Sequence, residues 1–153
     1  MNIIWQYLDK RKAAESALKD YLSMQHIIDH TDEEIANVHK RMTSVGSPVI
    51  TDMPKATPDI RGNEKRLIKD IEQIDVIRER YRQAVEYMEW FQPAWTALSE
   101  EERYVLKMLF WSIEDNQTDA VYTICEKLNI ERTSVYSRKK RAIDHLALLL
   151  YGK

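Results

Sequence analysis

Leu128-Asn129-Ile130-Glu131-Arg132-Thr133-Ser134-Val135-Tyr136-Ser137-Arg138-Lys139-Lys140-Arg141-Ala142-Ile143-Asp144-His145-Leu146 is the stretch on which the reading of the fold turns. Apolar residues stand at 128, 130, 135, 142, 143 and 146, and hydroxyls and cations fill most of the face between them. A helix built this way packs on one side and offers hydrogen-bond donors and positive charge on the other. DNA calls for both: cations for phosphates, and short polar or guanidinium groups for base edges in the major groove. Taken alone, Arg138-Lys139-Lys140-Arg141 would read as a solvated helix end. A turn before it and a polar face beside it point instead to DNA binding.

Glu131 opens this final helix, which is expected to run to about Leu150. Asn129 suits a left-handed turn between helices. Val121, Ile124 and Leu128 give the short helix before that turn, and Asp115-Asn116-Gln117-Thr118-Asp119 is a polar turn. Ser99-Glu100-Glu101-Glu102 has capping-box spacing, with acids at the positive end of a third helix. The apolar face of that helix is Val105, Leu106, Leu109 and Phe110. Arg103 and Lys107 are expected to pair with Glu100 or Glu102 at its surface.

The first half of the chain is helical in a different way. Asn2 to about Thr43 lacks Gly and Pro, and Tyr7, Ala14, Tyr21, Ile28, Ile35 and Met42 recur every seventh position. Ile4, Leu8, Leu18, Leu22 and Val38 widen that stripe, and Arg11, Gln25, Asp32 and His39 interrupt it. That pattern predicts helix-on-helix packing rather than a tight, long zipper. Thr31-Asp32-Glu33-Glu34 resembles a second capping box and predicts a break near His30. Residues 44–62, punctuated by Gly46, Pro48, Pro54, Pro58 and Gly62, are expected to form a flexible loop that no helix runs through. A second long helix is expected from Asn63 to just before Pro93, with Leu67, Ile74, Tyr81 and Met88 at seven-residue spacing and Ile71, Ile77, Ala84, Val85 and Phe91 beside them. Two helices of matching period suggest an antiparallel hairpin, ~60 Å and ~45 Å long at ~1.5 Å per residue.

The chain of 153 residues has 44% hydrophobic and 31% charged residues and a net charge of −2, so any nucleic-acid surface must be a local patch. Its single Cys125 excludes an intrachain disulfide and suits a reducing cytoplasm. There is no secretory signal pattern and no apolar run near the ~20 residues of a membrane helix. No glycine-rich phosphate loop, nucleophile elbow or catalytic triad pattern appears. His26 and His30, one turn apart, could in principle clasp a metal, but without a third ligand they read as surface histidines. Cys125 reads as a small buried residue rather than a nucleophile or redox switch. Trp90, Phe91, Trp95, Met108 and Trp111 read as core at the joint between hairpin and C-terminal domain.

Residues 98–151 resemble the fourth region of bacterial sigma factors, a helix-turn-helix that reads the upstream promoter element. The resemblance rests on Leu98-Ser99-Glu100-Glu101-Glu102-Arg103-Tyr104-Val105-Leu106, on Ile124, Leu128 and Ile130, on Arg132-Thr133-Ser134-Val135-Tyr136-Ser137, and on Arg141-Ala142-Ile143-Asp144-His145-Leu146. In that pattern the opening residues of the last helix touch bases, which implies base contacts by Arg132, Thr133, Tyr136 and Ser137. The sequence departs from it in reading Ala120-Val121-Tyr122-Thr123-Ile124-Cys125 before the turn, and in carrying Arg138 where an apolar residue is common. The whole chain, with Asp52-Met53-Pro54 in its loop, looks like the small phage-encoded regulators of low-GC Gram-positive bacteria of the RinA and ArpU type. That resemblance implies activation of late phage genes for packaging or lysis.

The expectation is therefore an all-α protein, with a helical hairpin over 1–93 and a helix-turn-helix DNA-binding domain over 94–153. It is expected to be a sequence-specific, cytoplasmic transcriptional regulator and not an enzyme, with no metal and no cofactor. Ser134, Arg138, Lys139, Lys140 and Arg141 are expected at phosphates. Double-stranded promoter or operator DNA is the expected partner; host RNA polymerase or a sigma factor, and a second copy of the chain in a homodimer, are further candidates, and no membrane is. Two rivals stand beside it: a DNA-packaging recognition protein like a terminase small subunit, and a module that docks on polymerase or a sigma factor without touching DNA.

Overall fold

A computed structural model describes residues 7–44, 60–112 and 116–152. Among these residues the protein is all-α, with no strand. The helices are α1 (Lys10–Ser44), α2 (Ile60–Ala97), α3 (Glu100–Leu106), α4 (Gln117–Leu128) and α5 (Arg132–Tyr151), and a π-helical turn, Lys107–Trp111, extends α3. The expected loop signature at Met53-Pro54 lies outside the described residues. The chain divides into two compact units, Met1–Met24 with Glu86–Lys153, and Gln25–Val85. These boundaries fall inside the two long helices, where the sequence reading places one at 93/94.

Helix α1 starts later than its composition suggests. Asp9 caps it, its carboxylate accepting from the Lys12 N–H at 3.2 Å and its carbonyl from the Ala13 N–H at 3.0 Å. Tyr7 and Leu8 precede the helix and are exposed. The break expected near His30 does not occur. The Thr31 hydroxyl donates back to the Ile27 carbonyl, so Thr31 sits buried inside a continuous helix and its capping box is not formed.

Helix α2 departs from expectation at both ends. It begins at Ile60, with Gly62 already inside it, and continues through Pro93 to Ala97. A proline inside a helix costs ~3 kcal/mol or more. Here Phe91, Ala94, Trp95 and Leu98 beside it are all buried, and their burial offsets that cost. Arg103 closes the end of α2: its Nη1 donates to the carbonyls of Thr96, at 2.9 Å, and Leu98, at 2.8 Å. That contact replaces the surface pairing with Glu100 or Glu102 expected for Arg103.

In the unit Gln25–Val85, α1 and α2 run antiparallel. Val38 packs with Ile74 and Ile77, flanked by Ile35 and Met42. Arg41 reaches across to the Asp70 carboxylate at 3.0 Å and the Gln73 side-chain oxygen at 2.7 Å. The buried repeat of α2 is Ile77, Ala84 and Phe91, continued by Leu98 just past its end, with Ile74 and Ala94 beside it. Of the stripe expected from the sequence, Ile74, Ile77, Ala84 and Phe91 are thus buried, whereas Leu67, Ile71 and Tyr81 are exposed.

The other unit carries two clusters. The larger unites Ala14, Ala17 and Leu18 of α1, Phe91, Ala94, Trp95 and Leu98 from the end of α2, Leu106 of α3, and Ala142, Ile143, Leu146 and Ala147 of α5. The indole N–H of Trp111 donates to the Leu18 carbonyl at 2.8 Å, and its ring stacks on Tyr21 with centroids 4.3 Å apart. The Tyr87 hydroxyl donates to the neighbouring Ala17 carbonyl. Two aromatic donors thereby fix the register of α1 on this core. Trp95 and Phe91 are core as the sequence suggests, whereas Trp90 stays exposed.

Burial, with Asp20, Tyr21 and Tyr151 near it, pushes the Tyr87 phenol above its ordinary value of 10.0. The folded state therefore holds this proton more tightly than the unfolded chain. Stability from the group is present below about pH 10 and is lost as pH rises beyond it. Tyr87→Phe is expected to flatten that alkaline loss when melting temperature is followed from roughly pH 8 to pH 11. Parallel decline in both proteins would remove Tyr87 as its source.

Candidate nucleic-acid interface

The outward face of α5 is set by the way α4, its turn and α5 are held. Asn116 caps α4, its side-chain oxygen accepting from the Thr118 N–H at 3.3 Å. The helix ends at Asn129 in the left-handed conformation, φ 53° and ψ 51°, as its sequence predicts. The Ile130 N–H closes the turn on the Cys125 carbonyl at 3.2 Å. Glu131 then adopts an extended conformation and its carbonyl accepts from the Val135 N–H at 3.2 Å, so α5 starts at Arg132.

A small apolar cluster locks these parts together. Val105 of α3, Val121 and Ile124 of α4 and Val135 of α5 are buried in it. Met108, Cys125, Leu128 and Ile130 pack around them, with Cys125 half-buried where its sequence reading expects full burial. The N-cap of α3 forms as expected, with Ser99 Oγ accepting from the Glu102 N–H at 3.2 Å. Glu102 also meets His145 Nδ1 of α5 at 2.6 Å.

With Val135, Ala142, Ile143 and Leu146 inside, the opposite face of α5 is turned outward. Arg132, Thr133, Tyr136 and Ser137 are all exposed, and Ser134 is half-buried. Thr133, Ser137, Lys140 and Arg141 follow at helical spacing along one ridge, and Arg132 and Tyr136 sit one turn apart on its edge. The ridge from 133 to 141 is ~12 Å long at ~1.5 Å per residue. The four cations at 138–141 do not act alike. Arg138 forms an ion pair with Glu101 of α3, and the Lys139 ammonium lies over the Phe110 ring, 5.4 Å from its centroid. Lys140 and Arg141 are exposed on the outward ridge. Arg138 is thus tied to α3 through a carboxylate partner.

Charge also gathers where α5 ends. Arg11 of α1 grips Asp144 with two bonds, Nε to Oδ1 at 2.7 Å and Nη2 to Oδ2 at 3.1 Å. The carboxylate holds the guanidinium pKa above its ordinary value. Lys10 Nζ donates to the Gly152 carbonyl at 3.2 Å, at the end of α5. In the sequence Arg11 is only a polar interruption of the seven-residue stripe and Lys10 its neighbour; no signal there ties either residue to α5.

The remaining candidates fall elsewhere. His26 and His30 stack with ring centroids 4.0 Å apart, and His30 Nδ1 takes the His26 carbonyl as its partner at 2.9 Å. Among the described residues no group of three or more His, Cys, Asp or Glu is placed to hold a metal ion. A cleft of about 360 Å³ beside the ridge is lined by Ser99, Glu101, Glu102, Val105, Arg138 and Arg141, where carboxylates and guanidiniums offset each other. Among the described residues no helix is long and apolar enough to cross a membrane. No protein family, curated protein or solved structure matches the chain.

Proposed function

We propose that the protein is a sequence-specific DNA-binding transcriptional regulator that reads a promoter with the outward face of α5. One observation carries this reading: α5 buries Val135, Ala142, Ile143 and Leu146 while exposing Arg132, Thr133, Tyr136, Ser137, Lys140 and Arg141 on its other side. A major groove ~12 Å wide accepts such a helix. In it, Arg132, Thr133, Tyr136 and Ser137 would meet base edges, Arg132 by a bidentate bond to guanine. Lys140 and Arg141 would hold phosphates, with Ser134 at the groove edge. Arg138 and Lys139 contribute less, since each already has a partner within the protein.

The resemblance of residues 98–151 to the fourth region of sigma factors supports promoter DNA as the target and host RNA polymerase as the partner. The resemblance of the whole chain to RinA- and ArpU-type regulators supports activation of late phage genes.

Binding of the purified protein to upstream fragments, across a salt series and with competitor DNA, tests this reading. One fragment should be preferred, with affinity falling steeply as salt rises. Changing Arg132 and Tyr136 together to Ala should reduce that preference by ~10-fold or more, since each base-reading contact contributes ~1–3 kcal/mol of discrimination. Equal, weak binding to every fragment, untouched by the double change, would sink the proposal and favour a module that docks on polymerase.

A further inference from the structure

We infer that the first turn of α1, Lys10-Arg11-Lys12, is a second phosphate-binding element that extends the DNA surface of α5; the inference rests on the reading of α5 as the DNA-contacting helix. Two parts of the chain, 133 residues apart at the Arg11–Asp144 pair, meet here. Asp144 lies one turn beyond Lys140 and Arg141 on the same outward ridge of α5. Its bidentate bond to Arg11 therefore places the start of α1 at the end of that ridge. Lys10, bonded to the Gly152 carbonyl, sits on the same end of α5. Lys10, Arg11, Lys12 and Asp144 line one shallow cleft with Leu148.

The charges add to a positive surface. Three cations, Lys10, Arg11 and Lys12, line the cleft against two acids, Asp9 and Asp144. Lys140 and Arg141 add to the cations from the ridge, and Glu15 of α1 is the further acid near Arg11. Because the chain as a whole has a net charge of −2, a local excess of cations is a distinguishing feature of this end of the unit. Phosphates of a duplex follow one another along each strand, so a helix seated in the groove by its first turns brings its later turns to a backbone. Asp144 would repel that backbone if it stood alone. Arg11 neutralises it, Asp9 and Glu15 balance Lys10 and Lys12, and the excess over the whole surface is that of Lys140 and Arg141. The Arg11 guanidinium, paired with Asp144 as Arg138 is with Glu101, holds the start of α1 in place on α5 while Lys10 and Lys12 face the backbone.

Such contacts position the protein and carry no sequence information. Lys10→Glu/Lys12→Glu is therefore expected to weaken binding to preferred and competitor duplexes alike, by ~10-fold or more near ~0.1 M salt. The slope of log affinity against log salt should become shallower by about one to two, at ~0.9 for each phosphate no longer neutralised. The ratio between preferred and competitor fragments should stay unchanged. A melting curve identifies any variant that fails to fold, and the milder Lys10→Gln/Lys12→Gln then replaces it, with a slope change of the same sign. Wild-type affinity and slope in a folded variant would overturn this inference and leave α5 as the whole interface. An altered preference ratio with an unchanged slope would overturn it too, since that is the signature of base contact. Absence of any DNA binding by the wild-type protein would overturn the reading of α5 and this inference together.

Discussion

Phe91→Ala is expected to destabilise the α-helical unit that contains α3, α4 and α5 by about 3–5 kcal/mol. Phe91 is 0% exposed and is among the largest fully buried side chains of the protein. It stacks on Tyr87 with centroids 5.3 Å apart, and lies 5.5 Å from Tyr21 and 6.0 Å from Trp95. Removing the ring leaves a cavity between helices that are held by hydrogen bonds from Trp111 and Tyr87 to α1. Collapse around the void is therefore restricted, and the cost should fall toward the upper part of that range. Chemical denaturation with the midpoint and slope both fitted measures it. A loss below about 1 kcal/mol would mean that the aromatic cluster repacks freely, contrary to this geometry.

Ile124→Ala is the second large effect, and it acts on a different part of the same unit. Ile124 is 0% exposed and lies among Val105, Val121 and Val135, the other buried side chains of the smaller cluster among the described residues. A change of this kind costs about 2–5 kcal/mol. The cluster is small, so the loss is not shared with a larger core. Hydrogen exchange should accelerate first in α4 and the opening turn of α5, while α1 around Ala14 and Leu18 keeps its protection. Under the proposed function, binding selectivity should fall even where the protein remains folded, because the packing of Val135 in this cluster sets the rotation of the base-reading turn. Uniform acceleration of exchange through α1 and α4 alike would show that the two clusters unfold as one. Phe91 and Ile124 share no cluster, so their effects should add.

Much of the fold was legible because periodicity and capping are local. The left-handed Asn129, the Ser99 cap and the buried set at 135, 142, 143 and 146 all follow from residue type and spacing. The seven-residue repeat of α1 was legible only by half. Ala14, Leu18 and Val38 of the recognised stripe are buried, but Ala17 and Thr31 outside it are buried as well. Thr31 hides because its hydroxyl is satisfied by its own helix, which makes burial of a polar residue inexpensive. Ala84 of α2, 0% exposed, lies in the stripe that its spacing marks out, and a close helix approach buries its small side chain fully.

Pro93 shows how tertiary packing overrides a local rule. Its ring argues for a stop, but the apolar residues at 91, 94, 95 and 98 find partners on α1, α3 and α5, and the helix continues. The charged residues show the same division more sharply. Residue type and spacing alone settle that the protein is all-α, where α5 begins, and which of its faces is polar, because these depend on neighbours within a turn or two. Packing between distant helices settles that Arg138 is taken up by Glu101, that Arg103 caps α2, and that Arg11 stands beside Asp144. A charge run carries no record of its partners, since an ion pair forms wherever packing brings two side chains within reach, at any distance along the chain.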